Sequence, residues 1–148
     1  IILASVTRAF IICVTSIFCF NFFVEISILN YYYFLIYLIF SSFLMGSLGF
    51  IAGIWADRYD NMATITNFII IPLSFLSGTF YSIERLPNFL KEMSFFNPFF
   101  HMIDGLRFSM IGVSDGSTMF GLIYLLSFNL VLWWVAYYLY KIGYKIKT

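Results

Sequence analysis

Four stretches of the sequence contain no Asp, Glu, Lys or Arg: Ala9 to Val24 (16 residues), Ile26 to Ala56 (31), Asn61 to Ile83 (23) and Gly116 to Tyr140 (25). About 20 apolar residues in helical form cross the ~30 Å hydrocarbon layer of a bilayer. A charge at mid-membrane costs roughly 2.5–3.5 kcal/mol on the insertion scale. Charges therefore gather where the chain leaves the lipid, and the four runs read as membrane-spanning helices. They do not alternate apolar and polar residues over about 10 positions, which excludes the strands of a lipid-facing barrel. With 62% hydrophobic and 10% charged residues, against about 25% charged in soluble domains, a soluble fold is excluded, and so is a disordered chain. The net charge of +1 leaves no electrostatic footprint for a nucleic acid.

The expected fold class is all-α, a polytopic transmembrane helix bundle forming one domain over residues 1–148, with spans at about 9–24, 34–56, 62–80 and 118–140 and an outer helical segment at about 82–112. The 31-residue run is too long for one span. Tyr31, Tyr32 and Tyr33 mark its entry at the interface and Trp55 its exit, because amphipathic rings favour the headgroup level. Pro72 removes a backbone donor within the third span and predicts a kink there. Basic residues set the orientation: Arg8, Arg58, Lys141, Lys145 and Lys147 fall on one side, Arg85, Lys91 and Arg107 on the other. The positive-inside rule then places both ends in the cytoplasm. The chain opens at Ile1 within an apolar stretch that lacks the pattern of a signal peptide, and it reads as truncated at its N-terminus.

Residues 82–112 connect two spans yet are rich in Phe, Leu and Met. Two short helices fit, lying in the outer interface. The first begins near Pro87, and the second follows Asn97 as N-cap with Pro98 at the first helical position. Along the second, His101, Asp104 and Arg107 recur every third residue. That stripe reads either as a relay or substrate contact or as the solvated face of an amphipathic helix, with Asp104 and Arg107 paired. Ser42, Gly46, Gly49 and Gly53 form a small-residue seam on the second span, suited either to a subunit interface or gating seam or to packing within the chain. Cys13 and Cys19, six residues apart in one span, read as apolar packers.

No catalytic, metal or Walker-type phosphate motif is present, so the chain is expected to be no enzyme and to bind no cofactor itself. The polar groups expected inside the spans, Asn21, Asn67, Ser74 and Asn129, are neutral. Ion-coupled carriers and voltage sensors use ionisable groups at mid-membrane, so energy for any transport has to come from a partner. The short mixed-charge turn Asp57-Arg58-Tyr59-Asp60-Asn61 reads as a solvated connection or as a docking knob for a cytoplasmic motor subunit.

The stretch from Asp57 through Gly112 resembles the membrane subunits of ABC-2 type transporters. Pro72, then Leu76-Ser77-Gly78-Thr79-Phe80-Tyr81-Ser82, Leu86-Pro87 followed by Phe89, and Asn97-Pro98 leading through His101 and Asp104 to Arg107 carry the likeness as an ordered series. Where that family usually has a tyrosine near its second outer helix, this chain has His101. The resemblance implies that the four spans are the third to sixth of six in a bacterial inner-membrane exporter. It implies a second permease subunit, forming a homodimer, as partner within the bilayer, and separate cytoplasmic ATPase subunits that bind ATP and magnesium. It further implies that the kinked span and outer helices form an extracellular gate and that Asp57 to Asn61 touch the ATPase. The competing reading is a non-transport membrane scaffold or assembly protein that binds a partner through the outer helix pair.

Overall fold

The structure, a computed structural model, describes residues 2–20, 28–56, 59–79 and 86–144. Within them the chain is helical, with no strand: α1 Ile2–Phe20, α2 Tyr31–Trp55, α3 Tyr59–Ile65, a π-helical turn Thr66–Ile70, α4 Ile71–Phe75, α5 Asn88–Phe95, α6 Pro98–Ile111 and α7 Thr118–Ile142. Among the described residues, α2 and α7, each of 25 residues, are the helices long and apolar enough to cross a membrane. They carry Tyr31 and Tyr32 at the start of one and Trp133, Trp134, Tyr137 and Tyr138 toward the end of the other, all exposed.

The other two expected spans take a different form. α1 begins seven residues before Ala9, so Arg8 lies exposed within the helix and not at its end. Nothing from Ile2 to Thr7 stops it, since that stretch contains neither glycine nor proline. Among the described residues its apolar part is Val6–Phe18, and residues 21–24 of the expected span lie outside them. The expected third span is interrupted. The Ile71 N–H bonds to the Thr66 carbonyl, one residue further back than in an α-helix, and Pro72 follows. Proline has no N–H to give to the Phe68 carbonyl and its ring crowds that group, so the widened turn sits where regular bonding fails. The chain leaves the helix at Leu76, before the expected limit, and Phe80 lies outside the described residues.

α2 is the hub, packing against α1, α6 and α7, while α6 and α7 also pack on each other. Their shared core is Tyr37, Leu44 and Leu125, all fully buried, with Tyr33, Met102, Leu106 and Leu122 against it. The α6 helix ends at Gly112, whose φ of +75° places it in the left-handed region that glycine enters without a Cβ penalty, and its N–H caps the Phe108 carbonyl. The backbone then returns close to the start of α2, where the Asn30 N–H donates to the Ser109 carbonyl at 3.0 Å. Outside this core the surface is apolar: Leu3, Ile12, Phe68, Ile123 and Trp134 are all exposed. Such an exterior suits a lipid solvent, in which polar groups turn inward.

Candidate functional site

The polar residues of the second outer helix converge on one buried cluster. Asn97 opens α6 as expected: its side-chain oxygen accepts the Phe99 N–H at 3.0 Å. Its amide nitrogen also reaches across to the Leu73 carbonyl of α4, at 2.6 Å. One side chain thus caps one helix and holds another.

His101 and Asp104 are each 4% exposed, so the stripe is not a solvated face. This corrects the amphipathic reading, which assumed a polar stripe turns outward. On a chain with an apolar exterior, polar side chains find their hydrogen-bond partners inside. The expected Asp104–Arg107 pair is also replaced. Asp104 accepts the N–H groups of Asp115 at 2.7 Å and Gly116 at 3.1 Å, one with each oxygen, bracing the loop before α7. Arg107 pairs with Asp115 at 2.9 Å and donates to the Gly78 carbonyl at 2.6 Å. Arg107 therefore joins three segments: the chain after α4, α6 and the loop before α7.

The His101 ring meets the Phe95 carbonyl through Nε2 at 2.9 Å. A carbonyl only accepts, so Nε2 carries the proton and Nδ1 of the neutral ring is left as an acceptor. The ring lies 4.5 Å from that of Tyr124 and 5.7 Å from that of Phe120, centroid to centroid. Burial pushes the His101 imidazole below its usual range, more strongly than the Phe95 hydrogen bond and the Asp104 charge pull it up. Tyr124 donates to the neighbouring Phe96 carbonyl at 2.6 Å. The C-terminal carbonyls of α5, which lack partners within their own helix, are thus taken up by one side chain from α6 and one from α7.

Tyr37 completes the cluster from α2, donating to the Thr118 carbonyl at 2.6 Å. Its ring lies against Gly105, where a Cβ would collide with the ring atoms. At Gly121 a Cβ would fall 3.1 Å from the Tyr37 hydroxyl oxygen and 3.4 Å from His101 Nδ1. The glycines at 105 and 121 thus leave the room that the Tyr37 ring and hydroxyl occupy between α2, α6 and α7. Further along the α2–α7 contact, Asn129 donates to the Phe40 carbonyl at 3.1 Å. An open apolar groove of about 430 Å³ runs beside it, between Ile39–Phe43 and Leu126–Trp133.

Gly78, Asn97, Pro98, His101, Asp104 and Arg107 therefore belong to one assembly, with Pro72 at the start of the α4 segment tied to it. Pro87 stands apart as the residue before α5. Phe80 and Tyr81 lie outside the described residues, as do Asp57 and Arg58 of the expected docking turn. Tyr59, Asp60 and Asn61 start α3, with Asp60 exposed. The small-residue seam divides: Ser42 and Gly46 are buried, whereas a Cβ at Gly49 or Gly53 would meet nothing within 4 Å. Tyr37, Gly105 and Tyr124 carry no motif in the sequence, and Asp115 and Gly116 read there as the turn before the last span. Tyr37 had one signal, a lone tyrosine beyond the interfacial triplet within a charge-free run. Among the described residues no group of three His, Cys, Asp or Glu side chains is placed to hold a metal ion.

The model of the family described as ABC-2 type transporter matches residues 1–111. The chain belongs to that family. This ABC-2 chain is 31% identical over 116 residues to the inner membrane transport permease YadH of Escherichia coli K12, with 76% of the chain and 45% of that protein covered. The YadH of Shigella flexneri matches equally. Nodulation protein J of Rhizobium leguminosarum bv. viciae is 33% identical over 66 residues, covering 45% of the ABC-2 chain and 26% of that protein. The chain thus spans less than half the length of these curated relatives. No solved structure matches it. Family and apolar helices together make this a membrane protein.

Proposed function

We propose that the chain is the membrane-spanning part of a permease subunit in an ATP-driven exporter, forming the pathway for substrate and driven by separate ATPase subunits. The observation that carries this reading is the family match over residues 1–111. The relative's description as an inner membrane transport permease supports it. So does the absence of any charged side chain from α2, the 25-residue helix at the hub, which provides no ionisable group for ion coupling at its middle.

In this reading α1, α2, the interrupted α3–α4 stretch and α7 are four spans, the third to sixth of six, and the C-terminus is cytoplasmic. α5 and α6 lie at the opposite face. A second copy completes the pathway, and Asp57 to Asn61 contact the ATPase, which holds ATP and magnesium. The subunit does no chemistry of its own. It passes between inward- and outward-facing states as the ATPase dimer closes.

The test is affinity purification of the full-length protein after co-expression with the ATP-binding-cassette ATPase encoded beside it. A stable complex is expected, weakened by Asp57→Lys with Arg58→Glu. Failure of the two proteins to associate in any detergent or nanodisc would sink the reading.

A further inference from the structure

The π turn Thr66–Ile70 is thinly packed among the described residues. Among the described residues, the elements that touch it are the two it joins: α3 before it and α4 after it. None of its residues is buried, and Phe68 is 77% exposed. The Pro72 ring removes the next regular backbone bond. A helix bends where its hydrogen-bond ladder is interrupted, and among the described residues no other element packs against the turn from the side.

The segments on either side of the turn differ. α4 and the chain just after it are held by two α6 side chains, Asn97 on the Leu73 carbonyl and Arg107 on the Gly78 carbonyl, each at 2.6 Å. Arg107 is itself fixed by Asp115. Among the described residues α3 has no comparable tie to α6 or α7; beyond the π turn, the element it packs against there is the nearby α2. Its hydroxyl bond, from Thr64 to the Asp60 carbonyl, stays within the helix.

We propose that the π turn Thr66–Ile70 is a hinge between a lightly packed arm, α3, and an arm anchored by Asn97 and Arg107, so that α4, α5 and α6 move as one block while α3 swings. Asn97 and Arg107 are positioning residues in this device. The inference does not depend on the coupling to an ATPase. Where that coupling holds, α3 is the arm whose first residues, Tyr59 to Asn61, belong to the contact at Asp57 to Asn61.

The test uses pulsed electron-paramagnetic-resonance distances in the full-length protein in lipid nanodiscs, with Cys13→Ser and Cys19→Ser as background. One spin-label pair, Thr64→Cys with Ile111→Cys, spans the hinge. The other, Phe75→Cys with Ile111→Cys, lies within the block. The expected distance distribution is at least about two-fold broader for the first pair than for the second, as for a segment turning about a hinge. Asn97→Asp keeps an acceptor for the Phe99 N–H, and so the cap, but loses the donor to Leu73. It is expected to broaden the second pair, and Arg107→Lys, which lacks the planar fork that reaches Asp115 and Gly78 through separate nitrogens, to do the same. Equal widths for the two pairs overturn the hinge. A second pair unchanged in both variants overturns the anchor.

Discussion

Gly105 shows how a single residue sets the distance between two helices. Alanine is favoured over glycine inside a helix by about 0.8–1.0 kcal/mol, so propensity alone would make Gly105→Ala stabilising. The added Cβ, however, falls on the Tyr37 ring, which is fully buried and held through its hydroxyl to Thr118. Overpacking of this kind costs typically 1–3 kcal/mol, and a ring fixed at both ends cannot retreat. Gly105→Ala is therefore expected to lower the Tm of the purified protein by several degrees, with partial recovery when Tyr37→Leu is added. A Tm equal to or above that of the wild type would show that the helices can part without cost.

His101 makes a separate prediction at the same scale. Burial holds its imidazole below the usual value in the folded state, so the unfolded chain binds the proton more readily. Stability from the neutral ring is complete above the ordinary pKa of about 6.5 and declines as pH falls below it toward the folded value. Thermal unfolding between about pH 7 and pH 5 should show a falling Tm, and His101→Gln, which offers an amide donor toward the Phe95 carbonyl, should flatten that slope. An identical slope in the variant would place the titrating group elsewhere.

At the scale of elements, what could be read in advance followed from local chemistry. Asn97-Pro98 announced the start of α6 because a side-chain acceptor followed by proline satisfies a helix N-terminus whatever surrounds it. The interfacial tyrosines likewise marked the start of α2. The direction of the His101, Asp104 and Arg107 stripe could not be read so. Period three gives a face of the helix, while its burial depends on the loop 112–117 folding back to offer the N–H groups of Asp115 and Gly116. A kink at Pro72 was expected, but the ties that hold the segment after it, at Leu73 and Gly78, come from a helix more than 20 residues further on.

Asp104 is where that long-range dependence can be measured. Asp104→Ala removes the acceptor of two backbone N–H groups, and an unpaired buried donor costs about 1–3 kcal/mol. The loop 112–117 should then become susceptible to limited proteolysis while α2 and α7 stay protected. Cleavage kinetics unchanged from the wild type would mean that the carboxylate does not brace the loop.

At the scale of the whole molecule, the charge-free runs correctly gave an all-helical membrane protein, because a lipid solvent restricts the backbone to few solutions. How completely each run crosses the bilayer is a separate question, since α2 and α7 have the length for it and the other two runs are shorter or interrupted. Orientation can be tested directly in intact cells with a membrane-impermeant maleimide. Val113→Cys is expected to label from outside, and Tyr144→Cys only after permeabilisation, because α7 would separate them. Equal labelling of both in intact cells would rule out a crossing at α7.

The central claim is that this subunit supplies a pathway and draws its energy from an ATPase. The most direct measurement is ATP hydrolysis by the cognate ATPase in nanodiscs, with and without the full-length permease. The account predicts a rate that changes when the permease is present and reverts to that of the ATPase alone when Asp57→Lys and Arg58→Glu are introduced together. A rate indifferent to the permease, at every lipid composition tried, would contradict it.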